Sequence, residues 1–210
     1  MMKTLAIIGS GELGQQIAHY ALADNHYSKV VFFDDFTNQK EVKGLQILGK
    51  TSTIEKFFKE KFFDEIIIGI GYKHLQIKKE IYDNLVNRIP FGKIIHSTCW
   101  VDETARIEDG CVIYPGCFLD ANTIIKANSV LNIGCTISHD SIIDSHCFLA
   151  PRVVIAGFVN IHEQCFLGLN STIIDSISIV RKTQIGGAAV IIKSIKKSGL
   201  YVGNPAKFIR

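Results

Sequence analysis

The chain has 210 residues, 47% of them hydrophobic and 20% charged, with a formal net charge of +3. That length suits one or two globular domains, and so small a positive excess argues against a nucleic-acid binder. No apolar run approaches the ~18 residues that span a bilayer, and the start, MMKTLAIIGSGELG, has too short an apolar run and no small-residue cleavage site for a secretory signal, so a cytoplasmic protein without a membrane partner is expected.

In chain order, Leu5 to Ile8 is a short apolar strand, Gly9-Ser10-Gly11-Glu12-Leu13-Gly14 is a glycine-rich turn, and Gln15 to Ala23 reads as a helix. Lys29 to Phe33 is a second strand ending in Asp34-Asp35. Glu65 to Ile70 is a third, ending at Gly71; an amphipathic helix runs from about Lys73 to Asn87, and Gly92 to Ile95 is a short fourth strand. Strand, glycine turn, helix, strand is the order of a dinucleotide-binding unit. The glycines let backbone N–H groups and a helix N-terminus approach a phosphate, and Asp34, 20 residues after Gly14, stands where an acid binds a ribose hydroxyl or a base edge. Gly9, Ser10, Gly11, Glu12, Leu13, Asp34, Asp35 and Gly71 are the candidate binding residues of an α/β, Rossmann-like βαβαβ domain over residues 1–96, for a nucleotide-linked substrate or a redox cofactor, which the motif alone does not distinguish. The alternative is that the glycines serve only tight strand-to-helix packing. A redox cofactor is disfavoured, since these residues make only about half of a usual dinucleotide domain and no second half follows.

From Val101 the periodicity changes. Sixteen aliphatic residues, from Val101 to Ile191, stand six apart without interruption. A period of six is neither the 3.6 of a helix nor the 2 of an ordinary strand, so it marks one face of a three-sided parallel β-helix. Three hexapeptides make a coil of 18 residues, sixteen make about five coils, and each inward Ile or Leu stacks on its equivalent in the coil below. The position four residues after each aliphatic is mostly small, which lets the chain turn a corner without overfilling the interior. Cys99, Cys111, Cys117, Cys135, Cys147 and Cys165 all fall in that register, so they read as buried thiols in a reducing compartment rather than as disulfides or metal ligands.

The hexapeptides end in Tyr201-Val202-Gly203-Asn204-Pro205-Ala206-Lys207. Repeats with this ending resemble the left-handed β-helix acyltransferases, which form trimers and bind acetyl-CoA in clefts between neighbouring subunits. With the Rossmann-like domain in front, nearly the whole chain resembles the bacterial nucleotide-sugar O/N-acetyltransferases of the hexapeptide-repeat superfamily. That family includes the enzymes acting on 4-amino-4,6-dideoxy sugars and the sialic acid O-acetyltransferases. Further matching segments are Asp34-Asp35, the Gly44-Leu45-Gln46-Ile47-Leu48-Gly49 turn, and Asn132-Ile133-Gly134-Cys135-Thr136-Ile137-Ser138-His139-Asp140. The resemblance implies a fold made of the α/β domain followed by a left-handed parallel β-helix over residues 97–210, acetyl-CoA as co-substrate with no metal, and a homotrimer. It implies an N-acetyltransferase for the C4 amine of a UDP- or dTDP-linked 4-amino-4,6-dideoxy sugar in surface glycan synthesis. An O-acetyltransferase of the sialic acid type is the alternative.

In this family the matching segment carries the base, which maps onto His139. The residues agree: His139 lies two positions after inward Ile137, at a coil edge, and imidazole suits proton removal from an attacking amine near neutral pH. Asp140 is expected to orient the ring, and Asn132 to hold the sugar or the imidazole. The resemblance places Phe148, Gly157, Leu169 and Gly187 at the acetyl-CoA, and the cations Arg181, Lys182, Lys193, Lys196, Lys197, Lys207 and Arg210 suit its phosphates. Three positions depart from the family pattern: Leu13 and Phe148 stand where histidines are common, and Ser138 where Glu is common. Two other classes remain open. Zinc hydration chemistry is disfavoured because His139, His146 and His162 occupy different places of their hexapeptides, and a non-catalytic nucleotide-sugar sensor would use the β-helix only to trimerise. An uncapped stack of coils with apolar flanks favours association.

Overall fold

The computed structural model describes residues 3–210, so Met1 and Met2 of the expected 1–96 domain lie outside the described residues. The chain forms two compact units, residues 1–94 and 95–210.

In the first unit, β1 (Thr4–Ile8) is flanked in parallel by β2 (Lys29–Phe33) and β5 (Glu65–Ile68). The central strands are apolar on both faces, as a sheet covered on both sides requires. Helix α1 (Glu12–Ala23) lies on the Ile7 face, and α2 (Ile54–Lys59) and α3 (Leu75–Leu85) cover the Ile8, Phe33 and Ile68 face. The sheet is completed by β3 (Glu41–Val42) and β4 (Leu45–Gly49), in the order β3-β4-β2-β1-β5. The segment read as a turn from Gly44 to Gly49 is thus mostly a strand. Lys43 and Gly44, at φ +46° and +76°, make a hairpin turn whose twist suits the flanking strands.

Three other boundaries differ. The third strand stops at Ile68 rather than Ile70, because Gly69 packs against the Gly14 backbone, where a β-carbon at 69 would stand 2.8 Å from the Gly14 Cα. The helix expected from Lys73 to Asn87 is a 3₁₀ turn, Tyr72–His74, followed by α3. Of the expected fourth strand only Ile94–Ile95 is extended, and it joins the eight-stranded sheet of the hexapeptide region, while Phe91 makes a single bridge to Ile66.

The second unit is the left-handed parallel β-helix. From Trp100 to Ile191 its two-residue strands stack into three parallel sheets whose pairings join residues 18 apart, as Leu119, Ile137, Ile155, Ile173 and Ile191 do on one face. From Ile113 to Ile191 these inward aliphatics are at most 2% exposed. The small-residue register is buried with them, although Val153, Val159 and Ile177 show that it also admits branched side chains. From Gly110 to Ala188 the third residue after each inward aliphatic adopts a left-handed conformation, at φ +59° for Asn122 and +56° for Asp140. Glycine and asparagine suit that turn, yet Arg152, Phe158 and Lys182 adopt it too, because the stacked coils over-determine the backbone. The stack is not left open at its C-terminal end, contrary to the sequence expectation: Ile195, Tyr201 and Ala206 pack on the core, and Leu200–Val202 pairs with the last coil and with Lys207–Phe208.

Candidate functional site

Two regions gather the residues singled out above, and each is described within its own unit.

In the first unit the glycine turn sits at the C-terminal end of β1. Gly14 is required by packing: a β-carbon there would lie 1.9 Å from the Gly9 carbonyl oxygen. Gly11 is different. It precedes α1 with open space around it and no side chain caps the helix, so the first-turn amides, beginning at Glu12, have no side-chain acceptor, as anion binding at a helix N-terminus requires. Leu13 is half-buried in that same turn. Ser10 donates its amide (2.8 Å) and hydroxyl (2.7 Å) to one oxygen of Asp34, and the Phe36 amide donates to the other (2.8 Å). Partial burial pushes the Asp34 carboxyl up, but these donors outweigh it and hold the pKa below the usual carboxylate range. Asp35 accepts the Thr51 amide (2.8 Å) and hydroxyl (2.6 Å), so it fastens the 3₁₀ turn after β4. Both acids therefore organise loops.

Beside them a small cavity of about 150 Å³ lies at the C-terminal ends of β1 and β2, lined by Ile8, Gly9, Asp34, Phe36, Ile70 and Ile77 among others. This is the crevice position at which open α/β sheets take ligands. Phe36, fully exposed at its rim, and Ile70 and Ile77 were not singled out from the sequence. The sequence signal that could have found Phe36 is an aromatic directly after the acid pair. Gly71 follows Ile70 and opens the turn before α3.

In the second unit, His139 stands on an edge of the prism with its side chain 48% exposed, and its Nδ1 is 3.0 Å from Asp140 Oδ2. Asp140 is held below the usual carboxylate range, first by His139 and then by Asn122. The Phe158 ring meets the imidazole edge-on, with centroids 5.1 Å apart. Gly157, one coil above His139, explains itself: a β-carbon there would lie 2.7 Å from His139 Cε1 and 2.9 Å from Nε2, so only glycine leaves room for the ring.

The repeat makes a second feature visible. At equivalent corners the amides of Ala121, Ile133 and Ser145 are capped by the side chains of Asp120, Asn132 and Asp144. At Gly157 the preceding residue is Ala156, and the Gly157 amide donates to no described residue. An uncommitted N–H therefore lies beside the imidazole.

The structure does not join every expected residue. Asn132 uses its side-chain oxygen on the Ile133 amide (2.7 Å) and makes no hydrogen bond to His139 among the described residues. Leu169, 62% exposed, and Gly187 stack on each other one corner away from Gly157. Phe148 is 5% exposed and packs against Phe166, on the sheet whose strands lead into Leu169 and Gly187. His146 is buried and bonded to Asn128 (2.9 Å). Among the described residues no group of three or more His, Cys, Asp or Glu is placed to hold a metal ion, and no helix is long and apolar enough to cross a membrane. Lys193, Lys196 and Lys197 border a cavity of about 480 Å³ beside Tyr201 and Pro205, and the Lys197 ammonium lies over the Phe208 ring.

The PglD N-terminal domain family matches residues 4–85. A comparison with curated proteins finds no match. Among solved structures, the chain is similar to the acetyltransferase domain of PglB from Neisseria gonorrhoeae FA1090: 27% identity over 98% of this chain and 99% of that one, with a TM-score of 0.91. The same domain in complex with acetyl coenzyme A matches at 26% identity over 100% of both chains, with a TM-score of 0.92. PerB from Caulobacter crescentus, solved with CoA and GDP-perosamine, shares the fold at 23% identity over 99% of this chain and 97% of that one, with a TM-score of 0.87.

Proposed function

Because residues 4–85 match the PglD N-terminal domain family and the whole chain is similar to an acetyltransferase domain solved with acetyl coenzyme A, we propose that it transfers an acetyl group from acetyl-CoA to the C4 amine of a UDP- or dTDP-linked 4-amino-4,6-dideoxy sugar for surface glycan synthesis. The observation that carries this reading is the exposed His139–Asp140 pair beside the uncommitted Gly157 amide.

Each part has a defined task. Asp140 accepts a hydrogen bond from the Nδ1–H of His139, which leaves the Nε2 lone pair to take a proton as the amine nitrogen attacks the thioester carbonyl carbon. The Gly157 N–H donates to the carbonyl oxygen as charge develops on it. The C–S bond then breaks, the CoA sulfur leaves, and the proton held on His139 passes to it. The first-turn amides of α1 bind the sugar nucleotide's phosphates, and the cavity next to Phe36 takes its base. Lys193 and Lys196 suit the CoA phosphates.

His139 and Gly157 lie on one edge of the prism, while Leu169 and Gly187 lie on the next. A single acetyl-CoA touching both pairs bridges two copies, which supports a homotrimer with sites at its subunit boundaries.

The test is a thiol-release assay with acetyl-CoA against UDP- and dTDP-linked 4-amino-4,6-dideoxy sugars. Turnover that falls by about 10²–10⁴-fold in His139→Ala is expected for loss of a general base. Acetyl-CoA binding without turnover on any amine would move the reading to a hydroxyl acceptor, and no binding would leave a nucleotide-sugar sensor.

A further inference from the structure

The His139 edge is held by a line of polar groups that passes from coil to coil. Thr104, Asn122 and Asp140 are 18 residues apart and stack on one another. The Thr104 hydroxyl donates to Asp102 (2.6 Å) and accepts the Asn122 amide N–H (2.7 Å). Asn122 Nδ2 then donates to Asp140 Oδ1 (3.1 Å), while the other carboxylate oxygen, Oδ2, meets His139 Nδ1 at 3.0 Å.

Asn122 is left-handed, at φ +59°, so the bland account is that asparagine merely suits the turn. The other corners argue against it as a sufficient reason. Arg152, Phe158, Ser176 and Lys182 make the same turn in the same register of the repeat. What asparagine adds at 122 is a side-chain donor aimed at the carboxylate oxygen that His139 does not use.

We propose that Asn122 is a positioning residue for His139, acting through Asp140. The proposal rests on reading His139 as the base. Both members of the pair are solvent-exposed, 48% for the His139 side chain and 36% for Asp140, and an exposed pair with one shared contact is loosely oriented. Anchoring Oδ1 fixes the plane of the carboxylate, so Oδ2 holds the Nδ1–H tautomer and the basic lone pair stays on Nε2. Gly157 and Phe158 bound the ring on its other sides, which leaves the Asn122–Asp140 contact as the one that selects between tautomers.

The experiment compares the protein with Asn122→Gly and Asn122→Asp. Glycine and aspartate both tolerate the left-handed turn, and neither supplies the donor. The readouts are imidazole ¹⁵N shifts, with the His139 signals identified by their loss in His139→Ala, alongside kcat, KM and thermal melting. The expected result is a His139 signal dominated by Nδ1–H in the parent and a mixture of tautomers in both variants. Melting should be preserved, and kcat should fall about tenfold with KM little changed, the size of effect one charge-assisted hydrogen bond supports. Parent-like tautomers and parent-like kcat in either folded variant overturn the proposal. Should Asn122→Gly fail to fold, Asn122→Asp decides alone. If the parent acetylates no acceptor, the proposed reaction fails, while the tautomer comparison still judges Asn122.

Discussion

Gly157 shows how much one hydrogen atom in place of a methyl group decides. The His139 imidazole occupies the space a β-carbon would take, with ring atoms at 2.7 and 2.9 Å, and the ring cannot be compressed. Gly157→Ala must therefore move the ring, and with His139 as the proposed base a displacement of about 1 Å costs on the order of 10²-fold in rate. The expected outcome is a large fall in kcat with nearly unchanged melting, measured by thiol release and calorimetry on the same sample. A parent-like kcat would mean that the ring position does not govern turnover. The sequence puts His139 at a coil edge and gives Gly157 to close approach of the co-substrate. The contact it makes inside the chain, 18 residues back, becomes visible only once the coils are stacked.

The stacking of hexapeptides also settles the chemistry of the cysteines. Cys117 sits beneath Cys135 and donates to the Asn132 carbonyl (3.2 Å), and with the neighbouring Cys135 thiol as the leading cause its pKa is pushed up to about 12. A raised thiol pKa means less thiolate at any pH below it. Near pH 8 the thiolate fraction falls to about 10⁻⁴, against roughly a quarter for an ordinary thiol. Cys117 is 1% exposed and Cys147 and Cys165 are fully buried as well. Iodoacetamide at pH 8 is therefore expected to leave Cys117 unmodified in the native protein for hours and to modify it within minutes in denaturant, followed by peptide mass spectrometry. Rapid labelling of native Cys117 would show that the coil opens there. The register of the six cysteines was legible in the sequence because period six survives in a single chain. Strands β3 and β4 were not, since a two-residue strand and a hairpin closed by Lys43-Gly44 carry no periodicity of their own and are stabilised by pairing with β2.

For the molecule as a whole, the two edges of the β-helix make a prediction that a one-chain site does not. If each acetyl-CoA lies between His139 of one copy and Gly187 of another, His139→Ala and Gly187→Trp each lower activity sharply, since the first removes the proposed base and the second sets an indole against exposed Leu169. Mixed oligomers assembled from both variants contain some boundaries with two intact contributions. Co-refolding the pair is expected to restore part of the parental rate, while simple mixing of the preformed oligomers is not. Sedimentation should give three times the monomer mass. Failure of the co-refolded mixture to recover any rate would place the whole site on one copy.

What the sequence by itself determined is the β-helix, because an aliphatic every sixth residue leaves no other periodic structure able to bury that stripe, and each coil repeats the same local rule. It also determined the strand–turn–helix entry of the first domain, where Gly14 and Gly9 admit only close backbone contact. Tertiary structure alone decided the relations between coils: the Asn122–Asp140–His139 line, the uncapped Gly157 amide, the coverage of the C-terminal end by Tyr201 and Ala206, and the tying of Asp34 and Asp35 to Ser10 and Thr51. These contacts join residues brought together by the stack or the sheet, and a hydrogen bond of three ångströms depends on their orientation in space, which no pattern along the chain encodes.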